Sequence, residues 1–252
     1  MEPVFDTLIL SDLHLGSELS RASDAVCMLK RMRFRRLILL GDIFSDLNFH
    51  RLKKQHWRFL SYIRKLSNPK RGVEVVWVEG NHDRGLATMM AHLVGVRVYH
   101  EYFWQSNGRL CLAVHGHQFD RFVSRNAFLS KAASVFHLNV QKLDLKNKFF
   151  SRMLDKLSTR WLRLTEKVAE GALRHAKLKG AELVFCGHTH HALELETAGV
   201  HYFNTGCWTS GRPTYITILN GEVQIREYEA PASVEPDVEA DSLLEEDAIL
   251  RA

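Results

Sequence analysis

Short runs of apolar, often β-branched residues alternate down this chain with longer stretches of mixed polarity. Thr7–Ser11, Leu37–Leu40, Val73–Val78, Leu110–Val114 and Leu183–Cys186 are such runs, bounded by Gly and polar residues, and they read as buried strands. Between the early strands, Ala22–Arg33, Leu52–Leu66 and a shorter stretch near Leu86–His92 space their apolar residues for helices. Between His117 and Gly180 the strand pattern stops for about sixty residues that hold one glycine, Gly171, and no proline. A plain loop of that length is foreign to a compact domain, so the segment is read as helical. Phe149, Phe150, Met153, Leu154, Leu157, Trp161 and Leu164 recur there at helical spacing, opposite a basic stripe of Lys148, Arg152, Lys156, Arg160 and Arg163. Strands resume at Ala181, then at Ala192–Glu196, Val200–Tyr202, Thr214–Leu219 and Val223–Tyr228. Asn220-Gly221 marks a hairpin between the last two. The pattern predicts an α/β sandwich of two sheets with an all-helical insertion over about residues 119–180.

Composition narrows the class. A chain of 252 residues with 46% hydrophobic and 25% charged residues can bury a full core as one large domain. No apolar run approaches the ~18 residues of a spanning helix, and no basic segment followed by an apolar one opens the chain, so a signal peptide is not expected. Cys27, Cys111, Cys186 and Cys207 are scattered without a C-x-x-C spacing, which fits a reducing cytosol. The net charge of +5 hides a division, because residues 230–252 hold seven acidic side chains and one Arg, leaving the domain over 1–229 strongly basic. With Pro231 and Pro236 among alternating acids, the tail is expected to be solvated and disordered.

Polar residues at the strand ends point to the chemistry. Asp12-Leu13-His14, Gly41-Asp42, Gly80-Asn81-His82-Asp83, His115, His117-Gln118 and Gly187-His188-Thr189-His190 mostly follow the apolar runs directly. Each successive strand thus delivers a carboxylate, amide or imidazole to its C-terminal end, the edge where open α/β sheets bind ligands. If the strand continues through Asp12 and His14, their alternation places both on one face. Asp42 has two oxygens and can bridge two cations; Asn81 offers a neutral oxygen; His82 can act on substrate, with Asp83 holding its ring. Oxygen and imidazole donors without thiolate suit Mn, Fe or Zn, and the expected product is a two-metal centre.

The ordered set D-x-H, G-D, G-N-H-D, lone H and G-H-x-H resembles the calcineurin-like metallophosphoesterases across residues 8–208. The resemblance implies one ion held by Asp12, His14, Asp42 and His190, a second held by Asp42, Asn81, His115 and His188, and His82 as the catalytic histidine beside the scissile phosphate. It implies two divalent ions, Mn foremost, with Fe or Zn as alternatives. Ser11–Gly16, His115–Asp120 and Tyr202–Trp208 look, more narrowly, like the UDP-2,3-diacylglucosamine pyrophosphohydrolases of lipid A biosynthesis, in which a helical insertion after the lone-His motif forms a lipid-binding cap. That likeness implies a UDP-linked glycolipid substrate cleaved to UMP and the lipid 1-phosphate. Three positions depart from the narrower group: His117 and Cys207 stand where many relatives carry Asp, and His82 where the best-known members carry Arg.

Other residues are candidates for substrate contact. His117 is an extra ligand, a supporting donor or, on the preferred reading, a polar rim residue. Asp120 can orient a metal-bound His or simply favour a helix N-terminus. Arg84 and Arg212 can bind phosphate, and Trp208 can stack on a base or pack. The stripe of Arg152, Lys156 and Arg160 suits anionic lipid headgroups and hence a peripheral membrane site. It suits nucleic acid less well, which leaves a nucleotide or nucleic-acid phosphodiesterase as the alternative and a metal-free scaffold as the remotest reading. No obligate protein partner is evident. His50, His56, His92, His100, His137, His175 and His201 lack ligand spacing and read as structural or exposed.

Overall fold

The apolar runs become strands because each is covered on both faces, leaving no side of them to water. The computed structural model describes residues 3–120 and 148–230, with side chains described for all of these but 87–88 and 148–162. The order is β1 (Val4–Leu10), α1 (Ala22–Arg31), β2 (Arg33–Leu40), α2 (Lys54–Leu66), β3 (Glu74–Val78), α3 (Ala87–Leu93), β4 (Val98–Tyr99), β5 (Tyr102–Ser106) and β6 (Arg109–Ala113). After them come α4 (Lys148–Lys179), β7 (Leu183–Cys186), β8 (Leu193–Thr197), β9 (Val200–Asn204), β10 (Thr214–Leu219) and β11 (Glu222–Glu227). One sheet runs β11-β10-β1-β2-β3-β4 and the other β5-β6-β7-β9-β8. Within them β1, β2, β3 and β4 are parallel, as are β6, β7 and β9.

Three apolar layers hold this two-sheet α/β sandwich together. Ile9, Ile38, Leu40, Val76, Val78, Phe185, Phe203, Ile216 and Ile218 fill the space between the sheets. Leu8, Leu10, Leu37 and Leu39, which alternate with those positions along β1 and β2, pack with Ala25, Leu29, Phe59 and Ile63 of α1 and α2. Leu112, Val184 and Tyr202 of the second sheet meet Ala169, Ala172 and Ala176 of α4. Small residues let α4 lie close to the strands. Gly171 goes further and admits Phe119, whose Cβ would stand 2.6 Å from a Cβ added there.

Among the described residues the predicted strands form, as do the helices of the early part of the chain, with ends shifted by a few residues. Strands β4, paired with β3, and β5, paired with β6, were not expected. β5 is an edge strand whose burial alternates and whose apolar run, Tyr102–Trp104, is only three residues long. Its turn was nonetheless legible: Asn107 and Gly108 take φ of 48° and 78°, as Asn220 and Gly221 take 52° and 83°, the left-handed pairs of a tight hairpin. The two hairpin tips meet, since a Cβ on Gly221 would strike Asn107. In the segment expected to be an insertion, α4 is helical, and its C-terminal half is a layer of the sandwich. The side chains of Arg152, Lys156 and Arg160 lie outside the described residues, as do residues 121–147 and the acidic tail beyond 230.

Replacing a mid-helix glycine by alanine ordinarily stabilises a helix by about 1 kcal/mol. Gly171→Ala is expected to do the opposite, lowering stability by about 1–3 kcal/mol through the clash with Phe119. In a Phe119→Gly background, which removes the contacting Cβ as well as the ring, the same change should become stabilising. Urea unfolding of the four proteins checks the reversal of sign, and a Gly171→Ala effect that is the same in both backgrounds would refute the contact's role.

Candidate metal centre

Five parallel strands end at the same edge of the sandwich: β1, β2 and β3 in one sheet, β6 and β7 in the other. Their connecting segments are laced together before any side chain is considered. Asp12 donates its backbone N–H to Gly41 O at 3.1 Å, His14 to Asp42 O at 3.0 Å and Gly187 to His115 O at 3.1 Å. The expectation that Asp12 and His14 alternate along an extended strand is corrected. β1 ends at Leu10, and Asp12 and His14 take left-handed φ of 52° and 49°. Asp42, His188 and His190 do the same at 49°, 68° and 55°. Non-glycine residues hold such conformations at a cost of roughly 1–3 kcal/mol each, and only where the surroundings over-determine them. Two glycines make room for the convergence, because a Cβ on Gly41 would fall on the His115 ring and one on Gly80 would fall on Asp42.

The side chains gather as two clusters. Asp12, His14 and His190 bring one donor atom each within 4.8 Å of one another, and so do Asp42, His115 and His188. A third trio of His14, Asp42 and His82 joins them. Asp12 Oδ2 is occupied, accepting from Ser11 Oγ at 2.5 Å and from the His188 N–H at 3.0 Å. Its Oδ1 is buried without a hydrogen-bond partner, 3.1 Å from His190 Nε2 and 3.7 Å from His14 Nε2. His14 Nε2 and His190 Nε2 stand 3.1 Å apart. Asp42 Oδ1 accepts the His82 N–H at 2.8 Å, and Oδ2 lies 3.3 Å from His115 Nε2. His115 Nδ1 faces Leu40 O at 2.9 Å, which makes Nδ1 the donor and leaves the lone pair of a neutral ring on Nε2. His115 Nε2 and Asn81 Oδ1 are buried and lack hydrogen-bond partners.

Buried polar atoms without partners are rare, and several of them converging at one point call for a ligand. Electrostatics agrees. Burial pushes the Asp12 and Asp42 carboxyls up, but His190 and His14 around Asp12, and His115 and His82 around Asp42, outweigh it and hold both well below the usual range. Burial likewise pulls His115 down, and Asp42 outweighs it, raising that imidazole to about 9. The donors fit two divalent ions of the borderline class, and Asp42 converges with His14 and His82 as well as with His115 and His188. Asp120 Oδ2 stands 3.3 Å from His188 Nε2, the arrangement by which a carboxylate orients a ligand imidazole.

Several expected roles change. Asp83 does not hold the His82 ring. Its two oxygens accept the N–H groups of Ile43 and Phe44 at 3.0 and 2.9 Å, and burial and then the Asp42 charge push it up to about 7. The His82 ring is held by Ser45 O, 2.7 Å from Nδ1. His117 is not at the rim: it is 6% exposed, and its Nδ1 lacks a partner. Trp208 is fully buried, packs on Tyr228 and donates its backbone N–H to Asp12 O at 3.1 Å, so it braces the Asp12 segment and does not stack on a base. Arg84 is exposed on the loop after Asp83, and Arg212 pairs with Glu227 at 3.0 Å.

Two supporting residues, Asn204 and Cys207, were missed, while His56, read as structural or exposed, is structural. Asn204 donates to Gly187 O and Thr189 Oγ1 at 2.7 and 3.2 Å and accepts from the Gly206 N–H at 3.0 Å, clamping the loop that bears His188 and His190. The Cys207 thiol is pushed up by burial, but its hydrogen bond with His190 prevails and brings it down to about 6. His56, fully buried, accepts at Nδ1 the N–H groups of Gly16 and Lys53 at 3.3 and 3.0 Å. Only the run Asn204–Cys207 carried a signal, through its likeness to a known motif.

The family model described as the calcineurin-like phosphoesterase superfamily domain matches residues 6–222. No curated protein matches the chain. Among solved structures, a novel archaeal phosphodiesterase is 15% identical, covering 88% of this chain and 99% of its own at a TM-score of 0.48. Vacuolar protein sorting 29 from Cryptosporidium parvum is 14% identical, covering 90% and 98% at a TM-score of 0.47. A predicted phosphoesterase from Streptococcus pneumoniae is 13% identical, covering 90% and 100% at a TM-score of 0.40.

Elemental analysis of metal-replete protein is expected to find about two divalent ions per chain, one for each cluster of donors. Asp42→Ala, which removes a donor from both sites, should lose both ions. His82→Ala should keep both while turnover falls ~10²–10⁴-fold. Asp120→Asn should weaken retention of one ion by about 10–100-fold and spare the other. Comparable metal loss in the His82 and Asp42 variants would contradict these assignments.

Proposed function

The chain belongs to the calcineurin-like phosphoesterase superfamily and is a metal-dependent phosphoester hydrolase; from that premise we propose that it cleaves UDP-2,3-diacylglucosamine to UMP and the lipid 1-phosphate. The observation that carries this reading is the attachment of α4 to the lone-His segment. The turn at His117–Phe119 leads out of the centre, Phe119 is seated on Gly171, and Gly116 lies against Val168. A helix 32 residues long spans about 48 Å at 1.5 Å per residue. Its C-terminal half is fixed to the second sheet, and its N-terminal half has the sequence pattern of an apolar stripe opposed by Arg152, Lys156 and Arg160. Such a helix suits an acyl chain on one side and an anionic membrane surface on the other. No helix among the described residues is long and apolar enough to cross a membrane, so any membrane contact by these helices would be peripheral.

Two divalent ions held by the seven donors would supply positive charge to the phosphoryl oxygens and lower the pKa of an attacking water. The protein does the rest by placement. Asn81, whose buried oxygen lacks a hydrogen-bond partner and would be free to hold an ion, would keep its amide N–H₂ for a phosphoryl oxygen. With Nδ1 fixed by Ser45 O, His82 presents Nε2 at the half-open side of the site, where it can stabilise an equatorial oxygen or give a proton to the leaving oxygen.

A panel of UDP-diacylglucosamine, an unacylated UDP-sugar, a cyclic nucleotide and an aryl phosphodiester, each with Mn²⁺, tests the reading. Each acyl methylene buried is worth ~0.8 kcal/mol, so the acylated UDP-sugar should be preferred by well over tenfold. Equal use of acylated and unacylated substrates would overturn the lipid assignment in favour of a nucleotide phosphodiesterase.

A further inference from the structure

The outer face of α2 carries charge of one sign. From Leu47 to Val73 the chain holds eight Lys or Arg and no Asp or Glu. Two of the eight are matched nearby, Arg51 by Asp46 and Lys53 by Glu18. Along α2 the exposed residues are Lys54, Trp57, Arg58, Ser61, Arg64 and Lys65, a stripe at helical spacing opposite the buried His56, Phe59, Leu60 and Ile63. Trp57 is 50% exposed within it. α1 packs beside α2 and ends on Lys30 and Arg31, both exposed.

The last described residues lie against these helices. The Arg21 N–H, at the start of α1, donates to Trp208 O at 3.1 Å. Trp208 packs on Tyr228, their ring centroids 5.6 Å apart, and both belong to the apolar layer that contains α1 and α2. Ala230 follows two residues later, and beyond it the sequence holds Glu235, Asp237, Glu239 and Asp241, then the run Glu245–Asp247, against Arg251 alone. A segment of that length can reach about 70 Å when extended, whereas α2 is only about 20 Å long. The spacing matches as well as the sign. Alternate residues of an extended chain stand about 6.6 Å apart, and residues four apart on a helix about 6 Å.

We propose that the acidic segment Glu235–Asp247 docks on the outer face of α2 in its own chain, its carboxylates meeting Lys54, Arg58, Arg64 and Lys65. Leu243 and Leu244, between the two groups of acids, supply apolar cover for Trp57. Occupied in this way, the face is withheld from nucleic acids and anionic membranes. Each exposed pair contributes little alone, so the contact depends on several charges acting together and weakens with salt.

Carbodiimide coupling, which joins a lysine amine to a carboxylate in contact with it, tests this on the full-length protein, with isotope-labelled and unlabelled chains mixed equally. Mass spectrometry should find tail carboxylates joined to Lys54 and Lys65 within one chain, several-fold more often than to the exposed Lys177 and Lys179 of α4. Raising the salt to about 0.5 M should cut these links several-fold, since screening then acts within roughly 4 Å. Arg58→Glu with Arg64→Glu should do the same while keeping both reporter lysines, and Lys177→Glu with Lys179→Glu should change nothing. Changing the seven tail acids to their amides should tighten binding of heparin roughly ten- to a hundredfold, and adding the two Arg changes should remove that gain. Links spread evenly over the four lysines, or indifferent to the Arg changes, would overturn the proposal. Links between labelled and unlabelled chains would also overturn it, making a second copy the occupant, as would unchanged heparin binding in the amide variant. Binding of phosphatidylglycerol vesicles that is lost with the Arg changes, in a protein without tail links, would give the face to a membrane instead.

Discussion

Two buried carboxylates and four imidazoles aimed at one another repel, or must fill with protons, unless cations lie among them. That requirement organises the end of the sandwich. Asp12 and Asp42 are almost wholly out of water, where an unpaired carboxylate is costly. Their oxygens are divided with little redundancy. One oxygen of each accepts backbone N–H groups from a neighbouring ligand loop, His188 for Asp12 and His82 for Asp42. The other faces the imidazoles. Each carboxylate is thereby both a candidate ligand and the anchor of the segment that brings the next ligand.

Much of the backbone's irregularity follows from this crowding. Extended chain cannot turn Asp12, His14 and Asp42 toward one point, so the segments after β1 and β2 take left-handed steps while bonding to each other residue by residue. The glycines before Asp42 and Asn81 stand where any side chain would displace His115 or Asp42. Below them a buried polar layer of Ser11, Thr205, Thr214 and Asn204 is hydrogen-bonded throughout. A satisfied buried network is stiff, which is what holds strained residues in place before any ion arrives.

The sheets were legible because strands covered on both faces announce themselves as unbroken apolar runs, as Leu37–Leu40 and Leu183–Cys186 do. The edge strand β5, with alternating burial, gives no such run, and only its Asn107-Gly108 turn betrayed it. At the site, residue types and order revealed the donors, since a carboxylate, amide or imidazole at a strand end is readable one position at a time. Contacts that depend on tertiary approach were not. Asp83 stands next to His82 in sequence and serves Ile43 and Phe44 instead, while a backbone carbonyl, Ser45 O, holds the His82 ring. Likewise nothing in the spacing of His117 or His56 showed that each would be buried.

The segment from His115 to Asp120 joins the metal centre to the helix that covers the second sheet. His115 bonds to Leu40 O across the sandwich, so it ties the two sheets together as well as facing Asp42. Two residues on, His117 is buried beside it; three further, Asp120 meets His188; between them Phe119 is locked against Gly171. A shift of α4 along the sheet would therefore move Phe119, and with it the carboxylate that orients a ligand of the second ion. Phe119, seated on Gly171, is in this way the fixed point between the metal centre and α4.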